Sequence, residues 1–152
     1  MTRLILMCGL PGAGKTTTAR RLATDHNAIR LSPDEWLTAL GQDLFDIAMR
    51  DRVEQQLWRH AQDLLRHGQS VILENGFYAR TERDHYRDTA RALGARVTLI
   101  HLHAPLDMLK QRVEHREVAL TAEQMDEYAP LFEAPTDEEL ATYDDGRRWV
   151  TQ

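Results

Sequence analysis

Apolar residues along this chain follow two alternating periodicities. Near-continuous apolar runs occupy 3–8 (Leu4, Ile5, Leu6, Met7 and Cys8 after Arg3), 71–74 (Val71, Ile72 and Leu73 before Glu74) and 97–103, with shorter runs at 28–31 and 148–151. Strands of a parallel sheet read this way, because helices bury both of their faces. Between the runs, apolar positions recur at three- and four-residue steps. Ala19, Leu22 and Ala23 predict a first helix from Lys15 to about Asp25. Leu44, Ile47, Ala48, Leu57, Ala61, Leu64 and Leu65 predict a long helix within 43–67, broken once and stopped by Gly68. Tyr86, Ala90 and Leu93 mark a third crossover helix ending at Gly94, with Thr81 and Asp84 as its expected capping box. Pro105 opens a helix carrying Leu106, Leu109 and Val113, after which the pattern weakens through Glu114, His115, Arg116 and Glu117, where a mobile segment is expected. Thr121 with Gln124 restarts a short helix bearing Met125, Tyr128 and Leu131, and Thr136 with Glu139 caps one more. Strand and helix in strict alternation imply one parallel sheet with helices on both faces.

Composition limits the alternatives. With 152 residues, 42% hydrophobic, the chain fits one domain over 1–152 with a core that needs no staples. Its single cysteine, Cys8, excludes an internal disulfide and suits a reducing, cytoplasmic setting as a buried filler. The apolar run after Arg3 ends at a glycine loop with no small-residue cleavage site, unlike a secretory leader. No stretch has the length of a membrane span. A net charge of −5 disfavours broad attraction to nucleic acid, though a local basic groove is compatible with it.

The sharpest chemical signal follows the first strand. Gly9-Leu10-Pro11-Gly12-Ala13-Gly14-Lys15-Thr16, with Thr17 next, matches the phosphate-loop pattern GxxxxGK[ST] at every fixed position and stands between a strand and a helix. Glycines let successive backbone N–H groups turn toward phosphate oxygens, and the helix adds the positive end of its dipole. Lys15 is then expected at the β- and γ-phosphates of ATP and the Thr16 hydroxyl on Mg²⁺. Lys15 is one of only two lysines, the other being Lys110, so the compact ammonium stands where the loop uses one. No Asn-Lys-x-Asp guanine-reading motif occurs, which disfavours GTP.

Three further groups can serve phosphoryl transfer, each beside a plainer reading. Asp34, just past the second strand, can deprotonate an acceptor hydroxyl at the carboxyl end of the sheet. Yet Ser32-Pro33-Asp34-Glu35 is also a helix start with a capping box, in which Glu35 is expected to cap. Glu74 closes the third strand and can hold Mg²⁺ opposite Thr16, or simply mark the strand's polar exit. Arg112 and Arg116 lie one turn apart and can close over a triphosphate, or belong to a solvated charged face with Glu114 and Glu117. His101 and His103 share one face of the fourth strand but lack a third ligand at metal spacing, so no zinc site is assigned. Phe77 and Tyr78 are pocket candidates, and Trp58 reads equally well as helix packing.

In combination the phosphate loop, Ser32-Pro33-Asp34-Glu35-Trp36, Val71 to Phe77, Pro105-Leu106 through Arg112 and Arg116, and Phe132 to Thr136 resemble small P-loop kinases that group with phage polynucleotide 5′-kinase, zeta-toxin-like and chloramphenicol-phosphotransferase-like proteins. The resemblance implies a three-layer sandwich with five parallel strands in the order 2-3-1-4-5, a helical lid over about 112–135, and ATP- and Mg²⁺-dependent phosphorylation of a hydroxyl. It also implies Asp34 as general base and Arg112 and Arg116 as lid arginines. Two departures matter: Glu35-Trp36-Leu37 holds no cation where polynucleotide kinases place an arginine, and Glu74 stands where relatives often carry Asp. A small hydroxylated acceptor is therefore expected over a nucleic-acid end or nucleoside, and a non-catalytic ATP switch is the remaining alternative.

Overall fold

The computed structural model describes residues 1–114 and 121–150. Five strands, β1 (Arg3–Cys8), β2 (Ile29–Leu31), β3 (Val71–Gly76), β4 (Arg96–His103) and β5 (Asp145–Val150), form one parallel sheet in the order β2-β3-β1-β4-β5. β1 is central, with Leu4 and Ile5 opposite Val71 and Ile72 on one side and opposite Val97 and Thr98 on the other. It is buried from Leu4 to Cys8, which is why its sequence carries no polar alternation.

Side chains of β1 point alternately to two cores. Leu4, Leu6 and Cys8 meet α3 (Ile47–Arg66) and α4 (Arg80–Ala92) through Leu57, Ala61, Leu65, Tyr86 and Ala90. Leu37 of α2 (Pro33–Ala39) and Leu140 of α7 (Asp137–Leu140) complete that layer. Ile5 and Met7 face α1 (Lys15–His26), α5 (Leu106–Glu114) and α6 (Ala122–Tyr128) through Ala19, Leu22, Leu109, Val113 and Met125. Trp58 stacks on Tyr86 with ring centroids 4.1 Å apart, so it belongs to helix packing.

Several local expectations need correction. The long helix begins at Ile47 behind an Asp46 cap, and its first turn leaves Ile47 and Ala48 exposed, so the apolar stripe is buried only from Val53 onward. Thr81 does not cap α4: the cap position is Ala79, and the Arg80 N–H donates to Glu133 Oε1 at 2.9 Å. The last strand starts at Asp145, earlier than its apolar signal, because the strand lies at the sheet edge and only Trp149 packs on a core. The capping box at Thr121 and Gln124 is present in full, and Thr136 accepts the Glu139 N–H. The weak stretch at 115–120, with Arg116 and the expected mobile segment, lies outside the described residues, as does Thr151. No helix among the described residues is long and apolar enough to cross a membrane.

Candidate active site

The loop at 9–16 leaves the carboxyl end of β1 and is clamped from two sides. The Gly9 N–H donates to Gly76 O at 3.1 Å, and a Cβ at Gly9 would approach Leu102 O to 2.7 Å, so only glycine fits between β3 and β4. Gly14 supplies the left-handed turn (φ 95°) that starts α1. The other end of the loop lies against α5, with Leu109, Arg112 and Val113 around Gly12.

α1 starts differently from its neighbours. Ser32, Asp46, Thr121 and Thr136 cap α2, α3, α6 and α7 through their side chains, whereas Gly14 offers no side-chain cap and the first turn of α1 holds no acid. Its first N–H groups have no carbonyl within the helix to reach, and the dipole end stays positive. Lys15 Nζ crosses the loop to Gly9 O at 2.6 Å and Leu10 O at 3.2 Å, holding a cation at its rim. Thr16 Oγ1 donates to Glu74 Oε1 at 2.9 Å, which brings together the two oxygen side chains expected to serve a divalent ion.

Glu74 is tied elsewhere as well. Arg30 Nη1 lies 2.5 Å from Glu74 Oε2, and Arg30 Nη2 pairs with Glu35 at 2.7 Å. Arg20 reaches the same Glu35 oxygen at 3.3 Å. The Arg30 hydrogen bonds hold the Glu35 carboxyl below the ordinary carboxylate range. Glu35 therefore does not close the expected capping box: Ser32 Oγ accepts the Glu35 N–H at 3.4 Å, while the Glu35 side chain faces the arginines.

Asp34, in the first turn of α2, faces the same cavity as Lys15, Thr16 and Glu74, a cleft of about 1010 Å³ also lined by Tyr78 and Tyr128. The local sequence offers no cation here, yet Arg50 of α3 arrives across space and donates to Asp34 Oδ1 at 2.5 Å and to Leu44 O. Arg112 Nη1 donates to Gly12 O at 3.1 Å, so it stands against the loop, whereas Arg116 lies outside the described residues.

Sequence reasoning missed Arg30, Arg50, Glu54 and Glu82; the last three line the cleft and Arg30 pairs with two groups that do, yet all four belong to no motif. Phe77 and Tyr78 both line the cleft, Phe77 nearly fully buried and packed edge-on to Tyr86, Tyr78 packed on Phe132. His101 is buried, and burial together with Arg148 pushes its pKa down to about 4; its Nδ1 has no partner among the described residues. His103 lies 5.9 Å away, centroid to centroid. No group of three or more His, Cys, Asp or Glu side chains is placed for a metal among the described residues.

Solved structures share the whole architecture at identities that speak to fold alone. A sugar kinase from Janibacter sp. HTCC2649 aligns at 24% identity over 99% of this chain and 86% of its own, with a TM-score of 0.68. An APS kinase from Mycobacterium tuberculosis, solved with AMPPNP and APS, aligns at 18% over 98% and 88%, with a TM-score of 0.67. Kti12 from Chaetomium thermophilum, solved with ADP-AlF3, aligns at 17% over 97% and 88%, with a TM-score of 0.69. No curated protein matches the chain in sequence. The AAA domain profile, in contrast, matches residues 4–135, from the first strand through the segment that packs on Tyr78. The chain thus belongs to the AAA domain family and has the fold of the small P-loop kinases.

Proposed function

We propose that the protein is an ATP- and Mg²⁺-dependent kinase that transfers the γ-phosphoryl group to a hydroxyl of a small molecule. The observation that carries this reading is one cleft shared by an uncapped helix start with its Lys15, the Thr16–Glu74 pair and the Asp34 carboxylate. Phosphoryl transfer needs cations around the migrating group and a base at the acceptor, with little covalent work from the protein. The kinases of sugar, gluconate and APS among its structural relatives support the reaction class.

Gly9 to Thr17 would cradle the polyphosphate through backbone N–H groups, with Lys15 turning from the loop carbonyls to phosphate oxygens. The oxygen donors of Thr16 and Glu74 suit a hard divalent cation, which when bound neutralises charge on the β- and γ-phosphates. Asp34 would take the acceptor's proton while Arg50 holds its carboxylate in place. Arg112, and Arg116 beyond the described residues, would add positive charge from the lid over about 112–135. The lone buried Cys8 suits a cytoplasmic protein.

Two substitutions test the assignment. Lys15→Ala should weaken ATP binding at least about tenfold and abolish transfer. Asp34→Asn should leave ATP affinity within about twofold of wild type and remove transfer, a split that a non-catalytic switch would not show.

A further inference from the structure

The acceptor half of the cleft is lined by two carboxyl groups, Glu54 and Glu82, that lack donors among the described residues. Glu54 on α3 and Glu82 on α4 both face it, and neither makes a hydrogen bond or ion pair among the described residues. At the end of β3, Asn75 lines the same space, although its Oδ1 is turned inward, buried and without a partner among the described residues. Asp34 gives one oxygen to Arg50.

The cations nearby are already engaged. Arg50 is held by Asp34 and by Leu44 O. Arg83, close to Glu82, is buried in a two-bond pair with Glu139 and also donates to Phe77 O. Lys15 lies across the phosphate loop. An anionic acceptor would have to detach Arg50 from Asp34 and then sit beside two carboxyl groups. A molecule rich in donors meets no such obstacle.

We propose that the phosphoryl acceptor is a cationic hydroxylated amine of the amino-sugar or amino-alcohol class, its ammonium group seated between Glu54 and Glu82 and a neighbouring hydroxyl donating to Asp34. The assignment rests on the kinase reading and narrows it to a substrate class. Charge balance supports it. Burial pushes Glu54 up to about 7, with Glu82, Asp51 and Asp34 adding to the rise and Arg50 opposing it. Burial raises Glu82 as well, against the pull of Arg83. With no cation paired to it, the Glu54 carboxyl is partly protonated near neutrality. An arriving ammonium favours the carboxylate form of Glu54, whose proton passes to the buffer. Tyr86, which adjoins both acids, is itself pushed upward by burial and stays a neutral phenol.

The test uses the full chain with Mg·ATP and follows phosphoryl transfer to amino sugars, neutral sugars and sugar acids of matched carbon number, beginning with 2-amino-2-deoxyglucose, glucose and gluconate. The amines should show kcat/KM at least about tenfold above their neutral and acidic counterparts. Transfer to a neutral or acidic member at equal or better kcat/KM, or to no amine at all, overturns the proposal. The kinase reading survives the first result, and it falls only if no class of hydroxyl is phosphorylated and Asp34→Asn changes nothing. Glu54→Gln and Glu82→Gln keep shape and should raise the amine KM at least about tenfold while the KM for ATP stays put. For wild type, the KM of an amino alcohol whose ammonium stays protonated through pH 8 should fall as pH rises from about 6 to about 8, and Glu54→Gln should flatten that slope. A flat wild-type profile, or equal losses for amine and ATP, overturns the seat assigned to the ammonium.

Discussion

Glu54 keeps a carboxyl whose native pKa stands near 7, above its ordinary 4.5, because burial disfavours the charge. An acid raised in the folded state contributes most stability below its unfolded value and loses it as pH climbs through its folded value. Glu54→Gln should therefore stabilise the protein at pH 8 by on the order of 2 kcal/mol and have almost no effect at pH 4, as urea unfolding at the two pH values would show. His101 behaves oppositely, since its lowered pKa contributes stability above about 6.5 that disappears as pH falls toward about 4. Not every such residue announces itself in sequence. Lys15 and Thr16 are legible because the loop's chemistry demands them at fixed spacing, and Glu74 because it ends an apolar strand beside that loop. Arg50, Glu54 and Glu82 are ordinary charged helix residues until the fold turns their faces toward one cleft.

The elements are joined by side chains more than by their own propensity. Arg83 of α4 and Glu139 of α7 form a buried bidentate pair at 2.6 and 2.8 Å, and Arg83 also fixes Phe77 O, where the backbone takes a positive φ of 52°. Arg83→Met would leave Glu139 buried, with only Arg80 at 3.9 Å. It should cost about 3 kcal/mol, and adding Glu139→Leu should restore most of that, measured by chemical denaturation. Gly146 in β5 lies so close to Leu140 that a Cβ would collide with its carbonyl, so Gly146→Ala should cost about 1–3 kcal/mol and lower the midpoint without changing the m-value. Helix starts at Thr121 and Thr136 were legible because each cap lies three residues from its partner. The start of α4 was not, because Glu133 caps it from 53 positions away. Periodicity placed the central strands well, and it misjudged β5 because an edge strand needs no continuous apolar run.

At the scale of the molecule, α1, α2, α3, α4 and the end of β3 all contribute to one cleft, so binding there should stiffen all of them together. Mg·ATP at about 100 times its dissociation constant should add about 2.7 kcal/mol and raise Tm by roughly 5–10 °C, and Lys15→Ala should erase the shift in a thermal melt. Alternation of strand and helix was enough to announce a parallel sheet, but the strand order followed from resemblance to a known family, since periodicity is blind to which strands become neighbours. Cys8 sits at the tip of the central strand with no exposed surface, its thiol pushed up to about 12 by burial. Because the chain has no other sulfhydryl, a thiol-specific dye should leave the native protein unmarked. A cysteine introduced at exposed Leu131 and another at exposed Leu40 would then accept a fluorophore pair cleanly, turning the molecule into its own ruler for distance changes across the cleft.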